Sequence, residues 1–312
     1  MVELAPEHIA KRMSPRPRGR RPSALSVLPF VAPALAFYVL FVVYPMVSTI
    51  QISLYDWSGL ATAPATYVGL DNYVSVLTKD PVFWTAFSNS LSWVLMSVLV
   101  PTTLGLVLAL ALNQALFGRN VFRAVFYLPG VLAAIAVAAI WRWMYNGDFG
   151  VLNSILNAVG LGGLAQAWLA NPSIALFAVF AASTWQAVGA NMILFLAGLQ
   201  NVQKDLVEAA RADGAGRVAV FRHVTLPTLM PTFLIVLVLT IINSLKVFDL
   251  VLGMTGGGPA QATQVLALWT YVQSFGTHHF GLGSAVATIL LGITLLIIVP
   301  YLIWLLRGDE DA

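Results

Sequence analysis

The sequence predicts an all-α integral membrane protein with six transmembrane helices. Of its 312 residues 59% are hydrophobic and only 9% are charged, and the apolar residues gather into long runs. A soluble domain carries roughly 25% charged residues, so this chain lacks the polar surface to cover a globule of its size. A hydrocarbon core of about 30 Å needs about 20 residues of helix, and the apolar runs reach that length. The 24 glycines and 16 prolines suit close-packed, kinked membrane helices.

Six runs qualify as spans, at roughly 25–47, 87–112, 124–145, 173–198, 229–252 and 282–306. They divide the chain into a basic tail over 1–24, a six-helix domain over 25–306 and a short end over 307–312. Lys11, Arg12, Arg16, Arg18, Arg20 and Arg21 precede the first run. That run is too long for a signal h-region and no small-residue cleavage site follows, so it is expected to remain as an anchor.

Positive charge sets the orientation. With the N-terminus in the cytoplasm, 13 of the 16 Lys and Arg fall on the cytoplasmic side: the six of the tail, Arg119, Arg123, Lys204, Arg211, Arg217, Arg222 and Arg307. Lys79 alone lies in an outer loop, while Arg142 and Lys246 lie within or at the ends of spans. Both termini are therefore expected to be cytoplasmic. Arg142, between Trp141 and Trp143, is expected to snorkel toward the outer surface.

The outer loops carry structure of their own. Tyr55, Trp57, Tyr67, Tyr73 and Trp84 fit an aromatic belt at headgroup level. A turn at Gly256, Gly257, Gly258 and Pro259 precedes a short surface helix expected over 262–275. No internal repeat appears, so a fold of inverted repeats gains no support.

Several chemistries are excluded. The chain has no cysteine, which removes disulfides, thiol nucleophiles and cysteine-ligated metals. It has no G-x-x-x-x-G-K-[ST] loop, and Gly214 and Gly216 open a G-x-G that lacks its third glycine. There is no G-x-S-x-G elbow. None of His8, His223, His278 and His279 sits in H-E-x-x-H, and the His278–His279 pair reads as loop histidines. No polar catalytic cluster argues for a membrane-bound enzyme. The few charges deep in the spans argue against a carrier or channel working alone.

The loop over 199–228 is the longest on the cytoplasmic side, and from Lys204 it runs KDLVEAARADGAGRVAVFRHVTLPTLMP to Pro231. Asp205 and Glu208 resemble a capping box, Ala209, Ala210 and Ala212 favour helix, and Gly214 suits a left-handed stop. A second short helix is expected over about 216–223, with Thr225 and Pro227 opening span five. Two short helices joined by a glycine bend can dock a soluble partner. They can equally form a solvated hairpin, with Glu208 pairing Arg211 at i, i+3.

The spacing in this loop is specific. E-A-A, three residues, G, nine residues, I/V, one residue and L-P is met by Glu208, Ala209, Ala210, Gly214, Val224, Leu226 and Pro227. This resembles the signature of binding-protein-dependent ABC importer permeases. YVGLDNY over 67–73, VFDLVLGMTGGGP over 247–259 and FGLGSAVA over 280–287 resemble the carbohydrate-uptake branch. Within it they are similar to the subunit of maltose type that pairs with a second permease, without the large inserted outer domain that some maltose permeases carry.

The resemblance implies the type I ABC importer permease fold in a prokaryotic cytoplasmic membrane. The loop would be a coupling helix whose Glu208, Ala209, Ala210, Arg211, Asp213 and Gly214 engage an ATPase subunit. The implied partners are a second permease, two ATPase subunits, an extracytoplasmic solute-binding protein, a small-molecule sugar and the lipid bilayer, with no nucleic acid. ATP and Mg would be held by the ATPase subunits, and this chain would bind no cofactor itself.

The substrate path is expected among polar residues in the spans, where such side chains need a role or a partner. Thr240, Asn243 and Ser244 share one helical face. By position in the family they match sugar contacts together with Val247, whose contact would be packing. Span four adds Trp185, Gln186 and Asn191: a ring can stack on a sugar face and amides can bond its hydroxyls. Hydrogen bonding between helices is the competing role for each of these residues. Lys246 and Asp249 at i, i+3 are expected to pair, with contact to an anionic substrate as the alternative.

Overall fold

A computed structural model describes residues 24–308. The basic-tail expectation for 1–23 lies outside the described residues. The first span is one long helix made of α1 (Ala24–Tyr38), a π-turn over Val39–Val43 and α2 (Tyr44–Ile52). It is apolar and none of its residues over Pro29–Ile52 is buried, as expected of a helix whose solvent is lipid or another chain.

From Thr49 the chain builds a second unit. A two-residue hairpin, β1 (Tyr55–Asp56) against β2 (Thr66–Tyr67), pairs Tyr55 with Tyr67. Then come α3 (Asp71–Lys79) and α4 (Pro81–Leu112). Sequence patterning placed the start of α4 near residue 87. Asp80 moves it earlier, because its Oδ1 accepts from the Val82 and Phe83 amides at 2.9 and 3.2 Å and Pro81 occupies the first turn. The other carboxylate oxygen accepts from Trp269 Nε1 at 2.7 Å, so the cap also ties α4 to a distant segment.

The expected span over 124–145 is two helices, α5 (Arg119–Val131) and α6 (Ala134–Met144), bent by 100°. Leu132 and Ala133 are extended, which ends α5 and starts α6 in a new direction. The carbonyl freed at Leu132 accepts from Gln186 Nε2 at 2.9 Å, the kind of partner that a break inside a membrane bundle requires. α7 (Val151–Ala158) and then α8 (Ala175–Leu199) follow.

After the loop, α9 (Lys204–Ala212) leads to α10 (Arg217–Val220), which runs without a break through a π-turn over Phe221–Thr225 into α11 (Leu226–Leu245). The separate second short helix is therefore absent: span five starts at Arg217 and its helix ends at Leu245 instead of near 252. The wide turn, closed by Leu226 N–H on the Phe221 carbonyl, sits just before Pro227, whose ring and missing donor disturb the ladder one turn earlier. α12 (Asp249–Met254), α13 (Leu266–Tyr271) and α14 (Phe280–Gly308) complete the fold.

Among the described residues five helices are long and apolar enough to cross a membrane, or six when the bent α5–α6 pair counts as one span. The core of the unit that begins at Thr49 has three parts. Trp93, Val137, Val179, Phe180, Val251 and Leu268 join α4, α6, α8, α12 and α13. Ala109, Met192, Phe195, Leu229 and Val236 fill the Leu199 end between α4, α8 and α11. Val76, Phe83, Leu266, Trp269 and Val286 close the Pro81 end. The α4–α8 seam is tight because Gly105 lets the backbones meet: a Cβ there would lie 2.7 Å from Asn191 Cβ. Gly189 does the same for α8 and α5, where a Cβ would strike the Phe126 carbonyl.

The surface helix expected over 262–275 is instead α13 and a π-turn over Val272–Gly276, and much of it is buried. Its incoming backbone is bonded by α4. Asn89 Nδ2 donates to the Ala262 and Gln264 carbonyls at 2.8 Å each, and Ser90 Oγ accepts from the Leu266 amide at 2.9 Å. With its backbone satisfied, the segment can leave water. The aromatics expected as a belt pack partly on one another and on neighbouring helices. Trp57 meets Phe280 edge-on, and Tyr73 Oη shares a 2.6 Å hydrogen bond with Ser53 Oγ.

Candidate functional site

The loop signature occupies α9 and the turn after it. No residue of α9 is buried, and its first turn lacks a side-chain cap: Gln203 stands at the N-cap, which puts Asp205 inside the helix. The capping box expected from Asp205 and Glu208 is therefore not formed. The helix stop is formed as expected. Gly214 has φ +86°, its N–H donates to the Arg211 carbonyl, and Ala215 N–H donates to Ala210, both at 3.0 Å. This paired pattern with a left-handed glycine is the Schellman motif.

One face of α9, with Lys204, Val207, Glu208 and Arg211, lines a cavity of about 840 Å³ beneath the ends of α4 and α8. Ala209 and Asp213 are exposed and lie off that wall, as do Leu206 and Val218 at 51% and 79% exposure. Ala210 supplies the carbonyl that closes the turn. The expected Glu208–Arg211 pair is not formed as an ion pair.

A second cavity, of about 350 Å³, lies halfway along the bundle between α4, α5, α8 and α11. Gln186, Asn191, Thr240, Asn243, Ser244 and Val247 all line it, so six of the seven expected path residues come together. Trp185 does not. Its ring turns to Trp141, with centroids 5.9 Å apart in an edge contact. Ser97, Ser183 and Trp93 line the cavity and were missed. Ser97 could have been found as a buried polar residue halfway along α4, and Ser183 as the residue one turn before Gln186.

The polar groups of this cavity are neutral, and none of its lining side chains is ionisable. Some are already engaged: Ser244 Oγ donates to the Thr240 carbonyl at 2.7 Å, and Gln186 donates to Leu132. The Asn191 amide and the Thr240 hydroxyl have no hydrogen-bond partner among the described residues, though both residues are only 9% exposed. They are free to bond a polar guest.

Lys246 and Asp249 do not form the expected pair. Lys246 caps α11 and Asp249 opens α12, with Phe248 at φ −144° and ψ −63° between them, so no shared helix sets their spacing. Arg142, expected to snorkel, directs Nη1 to the Gly253 carbonyl at 3.5 Å. His279 Nδ1 lies 3.0 Å from Thr277 Oγ1. No group of three or more His, Cys, Asp or Glu able to hold a metal occurs among the described residues.

Known proteins give this architecture a family. Residues 101–306 match the family described as the binding-protein-dependent transport system inner membrane component. A probable ABC transporter permease protein of Pyrococcus horikoshii is 36% identical over 93% of this chain and 99% of its own length. The trehalose/maltose transport system permease protein MalF of Thermococcus litoralis is 36% identical over 87% of this chain and 90% of its own. The sulfoquinovosyl glycerol transport system permease protein SmoG of Agrobacterium fabrum is 31% identical over 89% of each. Among solved structures, a chain of a bacterial ABC transporter that imports the acidic polysaccharide alginate shares the fold, with TM-score 0.79 and 22% identity over 90% of this chain and 95% of that one. The chain belongs to the binding-protein-dependent ABC transporter permeases, as a multi-pass membrane component.

Proposed function

We propose that this chain is one permease subunit of an ATP-driven sugar importer. The observation that carries the reading is the loop. The E-A-A…G signature is folded into an exposed helix, stopped at Gly214 and set at the ends of the spans. The family match supports the same role.

In this reading the bent pair counts as one of six spans and both termini are cytoplasmic, in a prokaryotic inner membrane. A second permease completes the pathway, two ATPase subunits hold ATP and Mg, and a solute-binding protein delivers sugar from outside. Glu208, Ala209, Ala210, Arg211, Asp213 and Gly214 form the coupling segment. Ala209 and Asp213 present its free side, while Glu208 and Arg211 brace it toward the bundle. Closure of the ATPase pair moves α9, and the rigid α10–α11 helix carries that motion to the cavity. Transmission of this kind requires an element with two states that both sites bias, and the helix bundle is that element.

The relatives named for maltose and sulfoquinovosyl glycerol transport support a sugar substrate. The neutral cavity fits uncharged hydroxyls: Asn191, Thr240 and Asn243 offer donors and acceptors, and Val247 offers an apolar patch. Trp185, outside the cavity, sets the packing of α8 against α6. Lys246, exposed at the end of α11, is the nearest cation in sequence for an anionic sugar.

The test is uptake in sealed vesicles holding this chain with its partner permease and ATPase. Labelled sugar should accumulate only with ATP inside and loaded binding protein outside. Uptake without ATP or partners would replace the importer reading with a carrier working alone.

A further inference from the structure

The larger cavity, at the Leu199 end, has no part in the sugar path. Lys204, Val207, Glu208 and Arg211 recur at i, i+3, i+4 and i+7, so α9 turns one charged face toward the bundle. Arg217, at the start of α10, lines the same space. Three cations thus meet one carboxylate, and none of the four is ion-paired with any described residue. The rest of the wall is largely apolar, with Leu110, Leu199, Val220 and Phe221, and it includes the amides of Asn113, Gln114 and Gln200.

The position of this lining matters as much as its charge. α4 ends at Leu112 after 32 residues and α8 at Leu199 after 25, lengths at which an apolar helix leaves the hydrocarbon. The cations, on the loop after α8 and at the start of α10, therefore stand at headgroup depth. A small free anion would use the cations and leave the apolar wall wet. A phospholipid uses both.

We propose that this cavity seats the headgroup of an anionic phospholipid. Lys204, Arg211 and Arg217 neutralise its phosphate, and the first acyl carbons lie on Leu110, Val220 and Phe221. Basic pockets between spans recognise such headgroups. The net positive lining selects an anionic lipid over a zwitterionic one, and Glu208 accepts from headgroup hydroxyls. The lipid would brace α9 against the bundle, so the leaflet's charge would set how firmly the coupling helix is held.

The test needs neither ATP nor transport, so it stands apart from the importer reading. The full chain, co-purified with its partners in mild detergent, is titrated with phosphatidylglycerol against phosphatidylcholine, and bound lipid is counted by native mass spectrometry. Wild type should retain phosphatidylglycerol selectively. Lys204→Ala/Arg217→Ala should weaken retention about 25-fold, roughly fivefold for each cation lost. Lys204→Arg/Arg217→Lys, which keeps the charges, should retain the lipid, as should Lys79→Ala at the Pro81 end. Equal retention by the double alanine variant would overturn the proposal. So would displacement by millimolar inorganic phosphate, which would mark a free-anion site, or equal binding of phosphatidylethanolamine.

Discussion

α8 and the loop that follows it differ in what holds them. Along α8 the chain is enclosed: Gly189 lies on the α5 backbone, Asn191 lies on Gly105, and Met192 and Phe195 are fully buried. A few residues later α9 has no buried residue at all, and only its helix stop and its link to span five define it. Packing fixes the first region, and local backbone chemistry fixes the second. The difference fits their proposed tasks. A pathway wall must keep its shape, whereas a coupling segment must present a surface to another protein and move with it.

The sharpest break in this comparison is a side chain at the enclosed seam. Gly189→Leu places atoms where the Phe126 carbonyl already stands. It should destabilise the fold by about 3 kcal/mol or more, read as loss of a monodisperse peak in detergent chromatography. A well-folded Gly189→Leu protein would show that α5 and α8 are not in register there.

The loop should respond in the opposite way. Asp213→Lys should leave folding unchanged, because the residue is exposed on the free side of α9. It should nevertheless lower ATPase stimulation by loaded binding protein about tenfold, comparable to the loss of one charge-assisted contact. Gly214→Val is milder: a β-branched residue at φ +86° should cost about 1–2 kcal/mol locally and fray the end of α9. Hydrogen exchange confined to 204–216 would report it, while protection spreading into α8 would blur the division between the regions.

The smallest effect belongs to the cavity. Thr240→Val and Asn191→Leu each remove a free hydrogen-bonding group and should raise the sugar concentration needed for half-maximal uptake about fivefold, one net hydrogen bond. No change in either would remove these residues from the path.

Sequence reasoning succeeded where a local signal was enough. Long apolar runs announced the spans, and Gly214 announced its own stop. The spacing of Thr240, Asn243 and Ser244 placed three groups on one cavity wall. It failed where a distant partner decides the outcome. The break after Val131 depends on Gln186 reaching Leu132 from another helix. The burial of α13 depends on Asn89 and Ser90. Trp185 left the cavity for Trp141, a choice set by the packing of α6 that no spacing in α8 encodes. Reading Lys246 and Asp249 as neighbours failed because nothing between them marks the end of α11 as proline or glycine would.

The coupling assignment requires α9 to meet an ATPase subunit. The chain has no cysteine, so Ala209→Cys gives a single attachment point for a maleimide-linked photo-crosslinker in the assembled complex. The expected result is one dominant adduct with the ATPase subunit, formed from Ala209→Cys and absent from Lys79→Cys at the other end of the bundle. An ATPase adduct from Lys79→Cys, with none from Ala209→Cys, would contradict both the coupling assignment and the orientation built on it.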